Sequence, residues 1–174
     1  MHFLRFTADN EEKLRTQIAL EEDSVSSARA AGNETQWLLS SIELGNLLTS
    51  ARRERDACDV LSDVADLARV APPEELGWWL LYLGTAKQYL NERPAARQLF
   101  NEALEIAQLH KFSALESYVL HHMGRCAVEE GEIELARSLF GRALVLREAL
   151  GDPRQASSRR ALEMLNETRW GPPD

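Results

Sequence analysis

The chain has 174 residues, 44% of them hydrophobic and 28% charged, enough for one domain with a continuous core. No apolar run approaches the roughly 20 residues of a bilayer span, which argues against a membrane protein. The net charge of −8 is concentrated in residues 1–75, with 8 basic against 15 acidic side chains, and without a basic stripe nucleic acid is a poor partner.

The opening residues, Met1 to Phe6, contain neither a signal-type apolar stretch nor a small-residue cleavage site, so a cytoplasmic location is expected. Helix signals then follow one another along the chain. A first long helix is predicted over 9–31, capped by Thr7 or Asp9 and closed by Gly32. Three helical hairpins are predicted over 34–70, 74–110 and 114–150. Pro72-Pro73 ends the first, and Glu74 and Glu75 suit the next helix start by complementing its dipole. Asn91 and Gly131 mark the tight turns inside the second and third hairpins, and Gly151 closes the third. Asp152-Pro153 reads as cap and first residue of a final helix, 153–168, whose charge-rich composition suits a terminal cap with one face in water. Gly171-Pro172-Pro173 reads as a frayed tail. Strand-type alternation is absent, so the fold class expected is all-α.

The hairpins share a pattern. Gly45, Gly84 and Gly124 are each followed twelve residues later by an alanine, Ala57, Ala96 and Ala136. A large apolar residue comes four further on, Leu61, Phe100 and Phe140. The glycine spacings are 84 − 45 = 39 and 124 − 84 = 40. Mid-helix glycine costs about 1 kcal/mol relative to alanine, so its recurrence needs a packing reason. The expectation is a close approach of paired helices, glycine meeting the alanine methyl across the hairpin.

With Leu80-x-x-Leu83-Gly84 and Leu120-x-x-Met123-Gly124 ahead of the Ala-x-x-x-Phe segments, the chain resembles the tetratricopeptide repeat (TPR) family. Ser41-x-x-Leu44-Gly45 with Ala57-x-x-x-Leu61 is a weaker copy. The period is longer than that family's 34 residues, as in repeats of bacterial regulator sensor domains, peptide-pheromone receptors and motor-protein light chains. The family's tryptophan position holds Ser41, Leu80 and Leu120. The resemblance implies an α-solenoid of three repeats plus flanking helices. It also implies a concave groove lined by the first helix of each hairpin. By register that lining is Leu39, Ile42, Asn46 and Thr49; then Trp78, Leu81, Tyr82, Thr85 and Tyr89; then Tyr118, His121, His122, Arg125 and Glu129. The aromatic cluster is hot-spot material. Self-burial of some of these rings, under the chain's own terminal helix or between hairpins, is the competing reading. A carboxylate clamp of the kind some family members use matches only Asn46, which favours an apolar or aromatic peptide or an amphipathic helix instead.

Other chemistry is poorly supported. His121 and His122 are neighbours, pointing about 100° apart on a helix, so they do not make a metal pair, and a surface or groove histidine is expected. Asp56, Asp59, Asp63 and Asp66 step by 3, 4 and 3, placing four carboxylates on one helix face as a solvated ridge. Cys58 and Cys126 lack metal-type spacing and read as buried thiols. No phosphate-binding glycine loop, His-Glu-x-x-His or Gly-x-Ser-x-Gly occurs. The expectation is therefore a non-catalytic module without cofactor or metal, binding a protein or peptide in its groove. A ligand-sensing domain of a bacterial regulator, and a self-assembly unit forming a homodimer, are the alternatives.

Overall fold

The structure, a computed structural model, describes residues 3–5 and 10–167. These residues form helices and connecting turns with no strand. In order the helices are α1 (Glu11–Ala30), α2 (Glu34–Ser50), α3 (Glu54–Asp63), α4 (Ala65–Val70) and α5 (Pro73–Tyr89). They continue with α6 (Arg93–His110), α7 (Ser113–Glu129), α8 (Ile133–Leu150) and α9 (Gln155–Glu167). Chain-sequential helices pack on one another, α1 on α2, α2 on α3, α7 on α8 and α8 on α9, the arrangement of a helical-hairpin repeat. The chain divides into two compact units, Phe6–Leu99 and Phe100–Asp174 with Met1–Arg5.

One turn chemistry recurs. Gly32, Arg52, Asn91, Lys111, Gly131 and Gly151 adopt left-handed backbone with φ between 59° and 79°. The next residue's N–H in each case returns to a carbonyl five positions back, from Asn33, Arg53, Glu92, Phe112, Glu132 and Asp152, at 2.8–2.9 Å. This is the Schellman closure of a helix C-terminus. In the first five turns that residue's own carbonyl accepts the first bond of the following helix at 2.9–3.0 Å, so one residue ends one helix and starts the next. Asn91, Gly131 and Gly151 are the turn residues expected. Arg52 and Lys111 were not legible, because left-handed backbone disfavours side chains with a Cβ. Ala71-Pro72 departs from this closure, Pro73 opening α5 at its first position.

Two element boundaries differ from expectation. The cap of α1 is Asn10, whose side chain accepts the Lys13 N–H at 2.8 Å; Thr7 and Asp9 lie outside the described residues, as does the 171–173 tail. The second helix of the hairpin predicted over 34–70 is interrupted at Val64 (φ −108°, ψ 13°). The Leu61 carbonyl near this break accepts the Trp79 indole N–H at 2.8 Å, which anchors α5 to α3. The interruption leaves Asp66 on α4, so the four aspartates are not one continuous helix face. Arg53 reaches Asp56 at 2.6 Å, and Arg29 reaches Asp63 at 3.5 Å.

The glycine contact also needs correction. A Cβ built on Gly45 would lie 2.6–2.9 Å from the Leu61 side chain, and one on Gly124 would lie 2.9–3.0 Å from the Phe140 ring. The side chain nearest the glycine is thus that of the large residue sixteen positions on, and not the alanine methyl. Ala57 and Ala136 are fully buried beside these seats. Gly84, Ala96 and Phe100 are likewise buried. In the unit containing Phe140, the core gathers Leu120, Val128, Leu139, Ala143, Ala161 and Leu165 around that ring. Cys58 and Cys126 are buried and form no disulfide, and desolvation pushes the Cys58 thiol pKa up.

Gly141 supplies an internal control, since a Cβ there meets nothing within 4 Å. Gly141→Ala is expected to stabilise by about 1 kcal/mol through helix propensity. Gly124→Ala is expected to destabilise by about 1 kcal/mol, because overpacking against a stiff ring, about 1–3 kcal/mol, exceeds the same gain. Urea unfolding midpoints at unchanged m-value test this. Shifts of the same sign in both variants would contradict the seat.

Candidate functional site

The lining expected from register divides into an open part and a filled part. The open part lies within the Phe6–Leu99 unit, where α2 packs against α5. Leu39, Ile42 and Glu43 project from one face of α2, and Glu75, Trp78 and Tyr82 from one face of α5, at three- and four-residue spacings. Together they line a cleft of about 270 Å³. Trp78 and Tyr82 stack, ring centroids 5.8 Å apart and planes at 27°. Both are partly exposed, and Leu39 is 42% exposed. A second cleft of about 270 Å³ adjoins the first through Leu39 and Glu75 and adds Leu38, Leu67, Val70 and Pro72 to its walls. Val70 is 84% exposed. The Pro72-Pro73 start puts Glu75 in the first turn of α5, where negative charge is favoured by the helix dipole. One Glu75 carboxylate oxygen is shielded from solvent and accepts no hydrogen bond.

Several expected lining residues are not surface groups. Leu81 and Tyr89 on α5 are buried, as are Ile42, Thr49 and Thr85, while Asn46 is partly exposed. Thr49 and Thr85 turn their hydroxyls back on the carbonyls four residues earlier, Gly45 and Leu81, each at 2.8 Å. The reason for Leu81 and Tyr89 is the packing of α5 against α2, α3 and α4 at once, which leaves only part of its circumference open.

In the other unit the α7 positions are filled by the chain itself. Arg125 is 2% exposed and donates from Nε to the Phe3 carbonyl at 2.8 Å, while the Phe3 N–H donates to Glu129 Oε1 at 3.2 Å. The Phe3 ring lies 6.0 Å from Phe140. His121, expected at the surface, is buried, its Nδ1 3.1 Å from Ser158 Oγ on α9 and its ring edge-on to Phe140 at 5.1 Å. His122 is partly buried with its ring 6.0 Å from Phe100. Tyr118 has the guanidinium groups of Arg147 and Arg154 each 5.1 Å from its ring. Arg147 is buried and donates to the Arg154 carbonyl, Ser157 Oγ and Ser158 Oγ at 2.9–3.1 Å. Sequence reasoning missed Arg147, since a cation in the α8 periodicity looks like an ordinary exposed charge. It also missed Glu75 as a site group, although its three-residue spacing from Trp78 was a usable signal.

Among the described residues, no group of three or more His, Cys, Asp or Glu side chains is placed to hold a metal ion, and no helix is long and apolar enough to cross a membrane. Among the described residues, the clefts are lined by apolar, aromatic and acidic side chains together with Thr35. Their chemistry suits capture of apolar side chains beside positive charge.

No protein-family model and no curated protein matches the chain. Among solved structures, the chain is similar to BtubC (BKLC) from P. vanneervenii, with a TM-score of 0.72 and 18% identity. The match covers 91% of this chain and 67% of that one. At this identity the likeness concerns the fold.

His121 and His122 carry a pH signature. Desolvation, reinforced by the Arg147 and Arg125 charges, holds the pKa of His121 well below 6.5, and desolvation does the same for His122. The folded state therefore binds fewer protons than the unfolded state below pH 6.5. The cost is absent above that pH and grows as pH falls, by up to about 1.4 kcal/mol per unit per histidine. Unfolding free energies at pH 7.5 and near pH 5 should differ more in the wild type than in His121→Gln. Identical differences would contradict the assignment.

Proposed function

We propose that this chain is a non-catalytic binding module of TPR-like architecture that takes a peptide or protein segment into the α2–α5 cleft. The observation that carries this is the stacked Trp78–Tyr82 pair, partly exposed beside Leu39 on the walls of a cleft. Aromatic rings held rigid by stacking give large contact area at low entropic cost, as binding hot spots require. The two clefts share Leu39 and Glu75, and the pair suits two side chains of one segment.

Trp78→Ala/Tyr82→Ala is the test. Both rings are partly exposed, so the double variant should keep its helical circular dichroism and lose only part of its stability, about 1–3 kcal/mol. Retention of peptides from a digested proteome on immobilised protein should fall at least about tenfold against wild type. Leu109→Ala/Val145→Ala, which removes two exposed apolar side chains of the other unit, should leave retention unchanged. Equal retention by wild type and the Trp78/Tyr82 variant would refute the cleft as the binding face.

A further inference from the structure

We infer that the occupant of the α2–α5 cleft is a basic amphipathic segment whose arginine or lysine pairs with Glu75 between two apolar anchors. The inference deepens the proposed function and rests on it. Three observations define this partner. First, the two clefts are contiguous through Leu39 and Glu75, so a single segment can place one apolar side chain in each. One anchor lies against Trp78 and Tyr82, the other against Leu67 and Val70. Second, among the described residues the charged side chains that line the clefts are acidic: Glu43 in one, Glu34 in the other, and Glu75 in both. Third, the shielded Glu75 oxygen accepts no hydrogen bond within the protein. A carboxylate oxygen withdrawn from water without a donor is costly, and a cation delivered between the anchors supplies that donor.

Charge complementarity selects the partner's sign. An acidic or phosphorylated segment would set its charge beside three carboxylates, the repulsive arrangement by which interfaces reject wrong partners. Arginine suits the position further, because its planar guanidinium can stack on an aromatic face while donating to a carboxylate. The spacing of Trp78 and Tyr82 along α5 matches a helical or extended segment laid across α2 and α5.

The experiment pans a display library of random peptides against the full chain, then measures the enriched peptides by fluorescence anisotropy. The expected result is enrichment of arginine or lysine within one helical turn of leucine, isoleucine or phenylalanine. Affinity should fall about tenfold with Glu75→Gln and at least tenfold with Trp78→Ala, and wild-type affinity should weaken as ionic strength rises. Binding that needs Trp78 but is indifferent to Glu75→Gln and to salt would overturn the cationic assignment and leave the cleft as the binding face. Enriched peptides that are neutral or acidic would do the same. Peptides indifferent to both substitutions, or no enrichment at all, would overturn the assignment together with the function on which it rests. The salt series on the wild type keeps the assignment falsifiable if Glu75→Gln fails to fold.

Discussion

How closely two helices of a hairpin approach is set here by a missing Cβ. Gly45 and Gly124 leave room for the side chains of Leu61 and Phe140, which occupy space that any other residue would claim. A mid-helix glycine forfeits about 1 kcal/mol of helix propensity, and full burial of a leucine or phenylalanine returns about 1.5–3 kcal/mol. The exchange is favourable only if the second helix runs antiparallel in one register. The turns enforce that register. With one left-handed residue closing a helix and the next residue opening another, the connection has almost no slack. Turn and seat therefore act on the same variable from two ends, and a slip of one residue would lose both.

Once the glycine faces inward, the facing of its neighbours along the first helix is set as well. The two units use those neighbours differently. Around α7 they are engaged by the backbone of Phe3 and by Ser158 of α9, which satisfy Arg125, Glu129 and His121. Around α5, Trp78 and Tyr82 form a stacked pair beside Leu39 and Ile42 of α2, on the walls of a cleft that Glu43 and Glu75 also line. Capture by the chain of its own segment at one hairpin shows the kind of contact such a helix makes: ring against ring, with side chains holding a peptide's N–H and carbonyl.

The repeat was legible because its cause is local and periodic. Glycine spacing, proline pairs and turn-forming Asn91, Gly131 and Gly151 each leave a mark at a fixed offset. What the glycines touch was less legible. The expected glycine–alanine contact is one turn away from the true one, and only the crossing geometry of two helices decides between Ala136 and Phe140. The Val64 interruption was hidden because valine breaks no rule in a helix; the tertiary bond from Trp79 to Leu61 accompanies it. Burial of His121 and Arg125 was hidden for a different reason. Their partners, Ser158 and the Phe3 carbonyl, lie 37 and 122 residues away, and nothing in the α7 sequence signals them. That Trp78 and Tyr82 share one face of α5 was legible, because a four-residue spacing on a helix decides it.

The glycine seat can be read directly by NMR on the intact chain. Nuclear Overhauser contacts should run from the Gly45 Hα protons to the Leu61 methyl groups, and from the Gly124 Hα protons to the Phe140 ring protons, with the Gly124 resonances displaced by the ring current. Contacts from these glycines to the methyl groups of Ala57 and Ala136 alone, with no signal to Leu61 or Phe140, would contradict the account.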